Sequence, residues 1–460
     1  MSESTFTIQL SELLGALSTA LDMTEGQPVG HSMRVCWIGT NIGMRLGLEG
    51  ETLRDLYYTL LLKDVGCTSN AARICQLFLT DDIAFKRDFL AVDNRSLPKA
   101  LNFLLHHAGM GKDLAERFRA LVSVIRQQDE ISRELIDTRC TRGADIARRM
   151  RFNNSVAEGI LSLDEHWDGK GHPHGLKGHQ IPLYSQIALM AQVADVIATS
   201  SGIPAACQEI QRRAGKWFDP NLVRVFDEVA LDIAVWDIWS NPHIEDHLFT
   251  LEPARAVAEV DEDYLDDIAL AFAEIIDSKS PYTSGHSNRV TLFTDLIAEE
   301  LGIDKERRRW LRRAAMLHDI GKLGISSQIL DKPGKLDTME WAEVMMHPVY
   351  THDVLSRVAA FDRIAEMASA HHERLDGKGY PNGIKGDEIQ LETRIITVAD
   401  IFDALTAERP YRPAMPIGKA LAIMDEMVGT QIDGDCYNAL RRSLHRMDDI
   451  SFPAGTIEAA

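Results

Sequence analysis

The sequence contains the motif His318-Asp319-Ile320-Gly321-Lys322, with one related motif before it and one after it. The earlier motif is Gly285-His286-Ser287-Asn288-Arg289-Val290, and the later one is His371-His372-Glu373-Arg374-Leu375-Asp376-Gly377-Lys378-Gly379-Tyr380-Pro381. With two further residues, these motifs supply seven potential metal ligands: His286, His318, Asp319, His347, His371, His372 and Asp400. Imidazoles and carboxylates without a thiolate favour iron, manganese or zinc in a hydrolytic site over a structural cysteine-rich zinc site.

The alternative is that these histidines are ordinary core residues. A single histidine on an apolar helix face is usually one whose hydrogen bonds are satisfied by its neighbours. Here, however, the pairs His318-Asp319 and His371-His372 both sit beside apolar residues at helical spacing. Charge buried there without a metal or a partner would be costly, so the pattern predicts a bound cation.

Residues 274–412 resemble the HD-GYP subset of the HD-domain phosphohydrolases. The resemblance rests on the His318-Asp319 pair, on the motif that begins at His371 and on Val398-Ala399-Asp400, which follow one another in the family's order. It implies a bacterial phosphodiesterase that opens a cyclic dinucleotide. Cyclic di-GMP is the first expectation, with linear pGpG or GMP as the product, and cyclic GMP-AMP is the second.

The chemistry of phosphodiester hydrolysis favours a pair of divalent ions, because two ions can neutralise the phosphate and lower the pKa of a water molecule. Asp319 is the expected bridge and a catalytic residue, since its two oxygens can reach both ions. By resemblance, one ion is held by His286, His318 and Asp400, and the other by His347, His371 and His372. Iron or manganese is expected, with nickel or zinc left open. Tyr282 stands where some family members carry a Glu ligand for a third metal, which favours a binuclear centre.

Other residues are expected to contact the substrate. Lys322 follows His318 by four residues and is predicted to reach the phosphate or the leaving oxygen, as a catalytic and substrate-binding residue. The resemblance implies substrate contacts for Tyr380, for Asp403 and for the segment Arg409-Pro410-Tyr411-Arg412. The guanidinium groups of Arg409 and Arg412 suit phosphate recognition, although this segment could instead end a helix.

An internal repeat decides the architecture. Gly30-His31-Ser32-Met33-Arg34-Val35 and Leu62-Lys63-Asp64-Val65-Gly66 match their second-copy counterparts at an offset of 255 residues. Asp168-Gly169-Lys170-Gly171-His172-Pro173 matches at an offset of 208, so the first copy contains additional residues within 77–137.

The repeat also allows the ligands to be compared copy by copy. His286 and Asp319 keep counterparts in His31 and Asp64. The other five positions, His318, His347, His371, His372 and Asp400, become Lys63, Arg139, Leu163, Asp164 and Gln192. Fixed positive charge and an alkyl group cannot replace metal ligands, so the first copy is predicted to be metal-free and inactive.

Apolar residues at three- and four-residue spacing, with few alternating segments, predict an all-α protein made of two tandem HD-domain helical bundles. Residues 1–245 would form the degenerate domain, with a regulatory or scaffolding role. Residues 246–460 would form the catalytic domain, which begins with a linker helix. The two domains are expected to pack against each other in a manner that imitates a homodimer, and a true homodimer stays open.

Composition restricts the other partners. The 460 residues carry a formal charge of −20, which disfavours polymeric nucleic acid and an anionic membrane surface. Six scattered cysteines and the lack of a signal-like N-terminus predict a cytoplasmic location. Two other functions remain as alternatives: an HD-type phosphohydrolase acting on a nucleotide monoester, and a non-catalytic signalling protein.

Lys279-Ser280-Pro281 departs from the Arg-Asp-Pro often found in the family.

Overall fold

A computed structural model describes residues 9–89, 128–252, 260–409 and 412–451. The all-α prediction is confirmed: these residues form helices joined by turns, and pairing between extended residues is limited to isolated bridges such as Val428 with Ile432. Among them, no helix has both the length and the apolar character that spanning a membrane requires.

The chain divides into two compact units that do not follow the two sequence copies. The first unit comprises Met1–Ala271 together with Ser278–Ser280 and Leu323–Asp331. The second comprises Phe272–Asp277, Pro281–Lys322 and Lys332–Ala460. The division into domains at residues 245 and 246 stays a prediction. The predicted linker helix is described from Glu262 to Asp277, and residues 253–259 lie outside the described part.

Amphipathic helices build the first unit around apolar residues such as Leu13, Ile38, Leu60 and Ile187, all fully buried. Its described helices in Met1–Ala271 are Leu10–Thr24, His31–Arg45, Gly50–Leu62, Ala71–Phe78, Asp82–Phe89, Gln128–Arg149, Asn154–Leu161, Leu183–Ser201, Ile203–Arg212, Pro220–Ala230, Ile233–Trp239, Ile244–Thr250 and the start of Glu262–Asp277. A short helix at Ser327–Leu330, from the second sequence copy, also belongs to this unit.

The second unit is a bundle in which helices such as His286–Glu300, Lys305–Leu317 and Leu391–Thr406 bury an apolar face. Besides the end of Glu262–Asp277, its described α-helices are His286–Glu300, Lys305–Leu317, Thr338–Val344, His347–Leu355, Asp362–Ser369, Leu391–Thr406, Ile417–Asp425 and Gly434–Ser451. His286–Glu300 packs against both Lys305–Leu317 and Leu391–Thr406. This arrangement brings helix ends together, and the helix ends carry most of the seven candidate ligands.

The basic residues of the helix Lys305–Leu317 form ion pairs within the second unit. Arg308 and Arg312 both pair with Asp295, at 2.8 and 3.0 Å, and Arg307 pairs with Glu392 at 2.7 Å. These contacts give the arginines an intramolecular role.

Lys279, one of the two residues that depart from the family pattern, is buried in the first unit. Its Nζ donates to the carbonyl of Leu323 at 2.8 Å and lies 3.7 Å from Asp82. The Asp82 carboxylate also accepts from the backbone N–H of Ser327 at 2.8 Å. Burial opposes the charged form of Asp82, but Lys279 and Lys86 outweigh it and hold the pKa of Asp82 below its usual value. The departure is therefore part of a buried ion pair that holds Leu323–Asp331 within this unit.

Candidate metal centre

Five elements of the second unit converge on one buried group of side chains. His286 and His347 each begin a helix, so their side chains lie at helix N-termini. His318 is the C-cap residue of the helix Lys305–Leu317, and Asp319 follows it directly. Asp400 lies within Leu391–Thr406. His371 and His372 come just after Asp362–Ser369, and all seven predicted ligands are thereby brought together.

The two oxygens of Asp319 face different histidines. Oδ2 lies 3.4 Å from His286 Nε2 and 3.3 Å from His318 Nε2. Oδ1 lies 3.4 Å from His347 Nε2 and 3.7 Å from His371 Nε2. A carboxylate in this position can serve two neighbouring cations at once.

The donor atoms form groups of the size that a cation needs. His286, His318 and Asp400 offer ligand atoms within 4.8 Å of one another, as do His347, His371 and His372. Among the atoms of the seven candidate ligands, three buried ones have no hydrogen-bond partner: His286 Nε2, His318 Nε2 and Asp319 Oδ1. Leaving buried polar atoms unpaired is unfavourable, whereas binding a cation would satisfy them. The residues therefore fit two divalent ions with nitrogen and oxygen ligands.

Each of four histidine rings is oriented by a hydrogen bond at Nδ1. The acceptors are Asp403 for His286 at 2.7 Å, Ala315 O for His318 at 2.7 Å, Val344 O for His347 at 2.6 Å and Ala368 O for His371 at 2.5 Å. When Nδ1 donates, the neutral ring keeps a lone pair on Nε2, and Nε2 is the atom that faces the centre. The rings are thus prepared as metal ligands.

Electrostatics separate the histidines into two kinds. Burial lowers the pKa of His347 to about 4 and that of His371 to about 3, so these rings are neutral at pH 7. For His286 burial acts in the same direction, but the neighbouring carboxylates of Asp319, Asp403 and Asp400 outweigh it and raise the pKa to about 9. A cation at the centre would compete with the proton on this ring.

A glycine allows the His318-Asp319 turn to approach the next helix. A Cβ at Gly321 would lie 1.9 Å from the carbonyl oxygen of His347. Gly66 has the same relationship with Arg139 O in the first copy, at 2.0 Å. Only glycine permits this contact, which sets the distance between Asp319 and His347.

Lys322 and Tyr380 lie beside the ligands, as expected. Lys322 Nζ is 2.5 Å from Asp319 Oδ2, and its side chain is partly exposed. The Tyr380 ring stacks on His372, with centroids 4.8 Å apart and planes 29° apart. Both side chains are therefore positioned to meet a molecule that reaches the centre.

Asp403 and Arg412 are engaged elsewhere. Asp403 is buried behind His286, and its carboxylate also accepts from Arg289 Nε at 2.5 Å. Arg412 Nη1 donates to the carbonyl of Leu405 at 3.0 Å, at the end of Leu391–Thr406. These contacts favour a positioning role for Asp403 and a helix-capping role for Arg412 over the substrate contacts expected from the sequence.

Arg409 is half-buried, and its backbone N–H donates to the carbonyl of Arg412 at 2.9 Å. Pro410 and Tyr411 lie outside the described residues. Of Arg409 and Arg412, Arg409 is therefore the one for which a phosphate contact stays a prediction.

In the first copy, Lys63 and Arg139 lie where the second copy has two candidate ligands, His318 and His347. Lys63 Nζ lies 3.2 Å from His31 Nε2 and forms an ion pair with Asp64. Arg139 likewise pairs with Asp164, where the second copy has His347 and His372. Internal cations thus satisfy the two carboxylates, which supports the prediction that this copy holds no metal.

Sequence reasoning missed two aspartates that build this geometry. Asp277 accepts from the N–H of Ser287 at 3.2 Å and from its hydroxyl at 2.7 Å, which fixes the first turn that carries His286. Asp22 makes the same contacts with Ser32, at 2.9 and 2.6 Å. Both stand eight residues before the Gly-His-Ser motif, so the repeat offset of 255 could have identified them.

Comparison with known proteins agrees with the geometry. The family model described as HD domain matches residues 119–222 and 271–436. The chain belongs to the HD-domain family, in its HD-GYP branch. It is 53% identical to the 3'3'-cGAMP-specific phosphodiesterase 3 of Vibrio cholerae, over 98% of this chain and 97% of that protein.

Two further likenesses place this HD-GYP protein among phosphodiesterases. The crystal structure of a cyclic GMP-AMP-specific phosphodiesterase of V. cholerae, V-cGAP3, matches with a TM-score of 0.67 and 49% identity, over 96% of this chain and 98% of that one. The cyclic di-GMP phosphodiesterase response regulator RpfG of Xanthomonas campestris is 39% identical, over 41% of this chain and 50% of that protein.

Proposed function

We propose that this HD-GYP protein is a metal-dependent phosphodiesterase that hydrolyses 3'3'-cyclic GMP-AMP. The observation that carries the proposal is the Asp319 carboxylate, whose two oxygens face separate groups of ligands. The substrate is supported by the 53% identity to a 3'3'-cGAMP-specific phosphodiesterase over nearly the whole of both chains. This reverses the order of the two substrates expected from the sequence, where cyclic di-GMP came first.

The chain's residues suit the hydrolysis of a phosphodiester. The seven ligands would hold two divalent ions, which would supply Lewis-acid charge and a water of lowered pKa. Lys322 stands where its ammonium can donate to a phosphate oxygen or to the leaving oxygen as negative charge develops. Iron or manganese is the proposed metal, and nickel or zinc would suit the same ligands.

A second phosphate distinguishes a cyclic dinucleotide from simpler substrates. Arg409 is the proposed ligand of that phosphate, because guanidinium groups bind phosphate oxygens in pairs. Opening one of the two phosphodiester bonds yields a linear dinucleotide, which is the proposed product.

The first copy has a proposed scaffolding role. Ser278–Ser280 and Leu323–Asp331 belong to the first compact unit although they come from the second copy. A fragment that starts near residue 254 would remove most of the unit in which these segments are buried. We expect such a fragment to be less soluble and less stable than the full chain, and equal solubility, stability and activity would contradict the scaffolding role.

The test is turnover by anaerobically purified full-length protein whose metal content is measured. Hydrolysis of 3'3'-cyclic GMP-AMP at least tenfold faster than of cyclic di-GMP is the expected result, with a linear dinucleotide as product. Preference for cyclic di-GMP would restore the order expected from the sequence. Release of inorganic phosphate from a mononucleotide, without turnover of either cyclic dinucleotide, would favour a monoester phosphohydrolase.

A further inference from the structure

Trp341 is an exposed aromatic residue beside the metal centre that no step of the proposed hydrolysis uses. Its side chain is 47% exposed, which is unusual for a large apolar ring. The Trp341 ring contacts that of Tyr380 edge to face, with centroids 6.2 Å apart and planes 78° apart. Tyr380 in turn stacks on His372. Three rings therefore lead from the candidate metal ligands to the surface of the second unit.

The helix that carries Trp341 is held in place at its start. Asp337 caps Thr338–Val344 by accepting from the N–H groups of Met339 and Glu340, at 2.8 and 3.0 Å. The Glu340 carboxylate in turn accepts from the Asp337 N–H at 2.7 Å, and it forms an ion pair with Lys332 at 2.5 Å. This capping box fixes the backbone of the first turn, which carries Trp341, and the Tyr380 ring contacts the indole.

We propose that Trp341 stacks on a nucleobase of the bound cyclic dinucleotide, an inference that rests on the proposed function. The faces of a purine are weakly hydrated although its edges are polar, so a base beside the scissile phosphate is stabilised by a stacking partner, and every base has a π-face that an indole can cover. Stacking does not read the base edge, so Trp341 adds affinity for both purines and does not choose between guanine and adenine.

The contacts distinguish this role from packing. The edge-to-face contact with Tyr380 uses part of the indole, and nearly half of the side chain remains open to solvent. Met339 lies on the same short helix and is 79% exposed. It offers a matched control, because it is a large apolar side chain for which no ring contact is expected.

The experiment compares Trp341→Ala, Trp341→Phe and Met339→Ala in the full-length, metal-loaded protein. For 3'3'-cyclic GMP-AMP, Trp341→Ala should raise KM about ten- to a hundredfold with a smaller change in kcat, because base stacking contributes about 1–3 kcal/mol. Trp341→Phe should recover most of this loss, and Met339→Ala should change nothing. Turnover of methyl p-nitrophenyl phosphate, a diester without a nucleobase, should be the same in all three variants.

Fluorescence provides a readout that a purely structural role would not alter. A phosphorothioate analogue of 3'3'-cyclic GMP-AMP should quench the tryptophan fluorescence of the unmodified protein, and Trp341→Phe should abolish most of this quenching. An unchanged KM in Trp341→Ala, equal loss on both substrates, or a changed oligomeric state would each overturn the inference. Absence of cyclic-dinucleotide turnover by the unmodified protein would instead contradict the proposed function itself.

Discussion

Asp403 Oδ2 accepts a 2.7 Å hydrogen bond from His286 Nδ1, and Asp195 makes a bond of equal length with His31 in the first copy. In both copies an arginine three residues after the histidine binds the same carboxylate: Arg289 Nε at 2.5 Å and Arg34 Nε at 2.8 Å. The first copy has kept this support although most ligands are gone. The pair therefore serves the fold as well as the metal centre.

Replacing Asp403 should weaken the metal centre more than substrate binding. In Asp403→Asn the carboxylate no longer orients His286, so we expect a ten- to hundredfold loss of metal affinity, about the cost of removing a partner that orients a metal ligand. Metal titration followed by activity measurement tests this, with Asp195→Asn as the matched control that should leave metal affinity unchanged. A raised KM at saturating metal, with metal affinity intact, would instead support the substrate contact expected from the sequence.

Removing Asp319 should disrupt both ion sites together. Each of its oxygens faces one group of ligands, so Asp319→Ala should lose hydrolysis and most of both metals, as measured by elemental analysis of the purified protein. Asp64→Asn is the control in the first copy and should leave metal content unchanged. Two metals and full activity in Asp319→Ala would show that Asp319 does not bridge them.

The two arginines after Leu391–Thr406 should behave differently. Arg409→Ala should weaken a cyclic dinucleotide about tenfold or more and spare bis(p-nitrophenyl) phosphate, which carries one phosphate, because a charge-assisted contact contributes about 1.5–3 kcal/mol. Arg412→Ala should lower thermal stability instead, since its guanidinium caps helix carbonyls. Equal loss on both substrates in Arg409→Ala would contradict the two-phosphate model.

The buried Asp195 should make the protein sensitive to acid. Burial opposes its charged form, but His31 and Arg34 outweigh burial and lower the pKa of Asp195 below its ordinary value. A carboxyl whose folded pKa is below its unfolded pKa stabilises the protein above the unfolded pKa of about 3.9, and this contribution is lost as pH falls through the folded pKa. Denaturant unfolding from pH 6 to pH 3 should therefore show a weaker pH dependence in Asp195→Asn. Asp237→Asn, at an exposed position, is the control, and identical slopes in all three proteins would contradict the assignment.

From the sequence alone, the all-α class, the repeat and a candidate set of metal ligands could be predicted. These depend on residue identity and spacing: apolar residues at helical intervals form helices, and imidazoles with carboxylates are ligands that iron, manganese, nickel and zinc share. The loss of His318, His347 and His371 equivalents in the first copy is visible at fixed offsets. The ranking of the two cyclic dinucleotides could not be obtained in this way, because the choice of base depends on side chains that line a pocket.

Only the tertiary structure decided how the chemically similar side chains divide their roles. Asp319, Asp400 and Asp403 are all aspartates in or near the motifs. In the structure Asp319 lies between the two ligand groups and Asp400 belongs to one of them. Asp403 instead accepts a hydrogen bond from the far side of the His286 ring. Likewise, Arg412 donates to a helix carbonyl and Lys63 contacts His31. The physical reason is that a hydrogen bond requires two atoms to meet at about 3 Å in the right direction. His286 and Asp403 are 117 residues apart in sequence, so the packing of their helices sets that meeting.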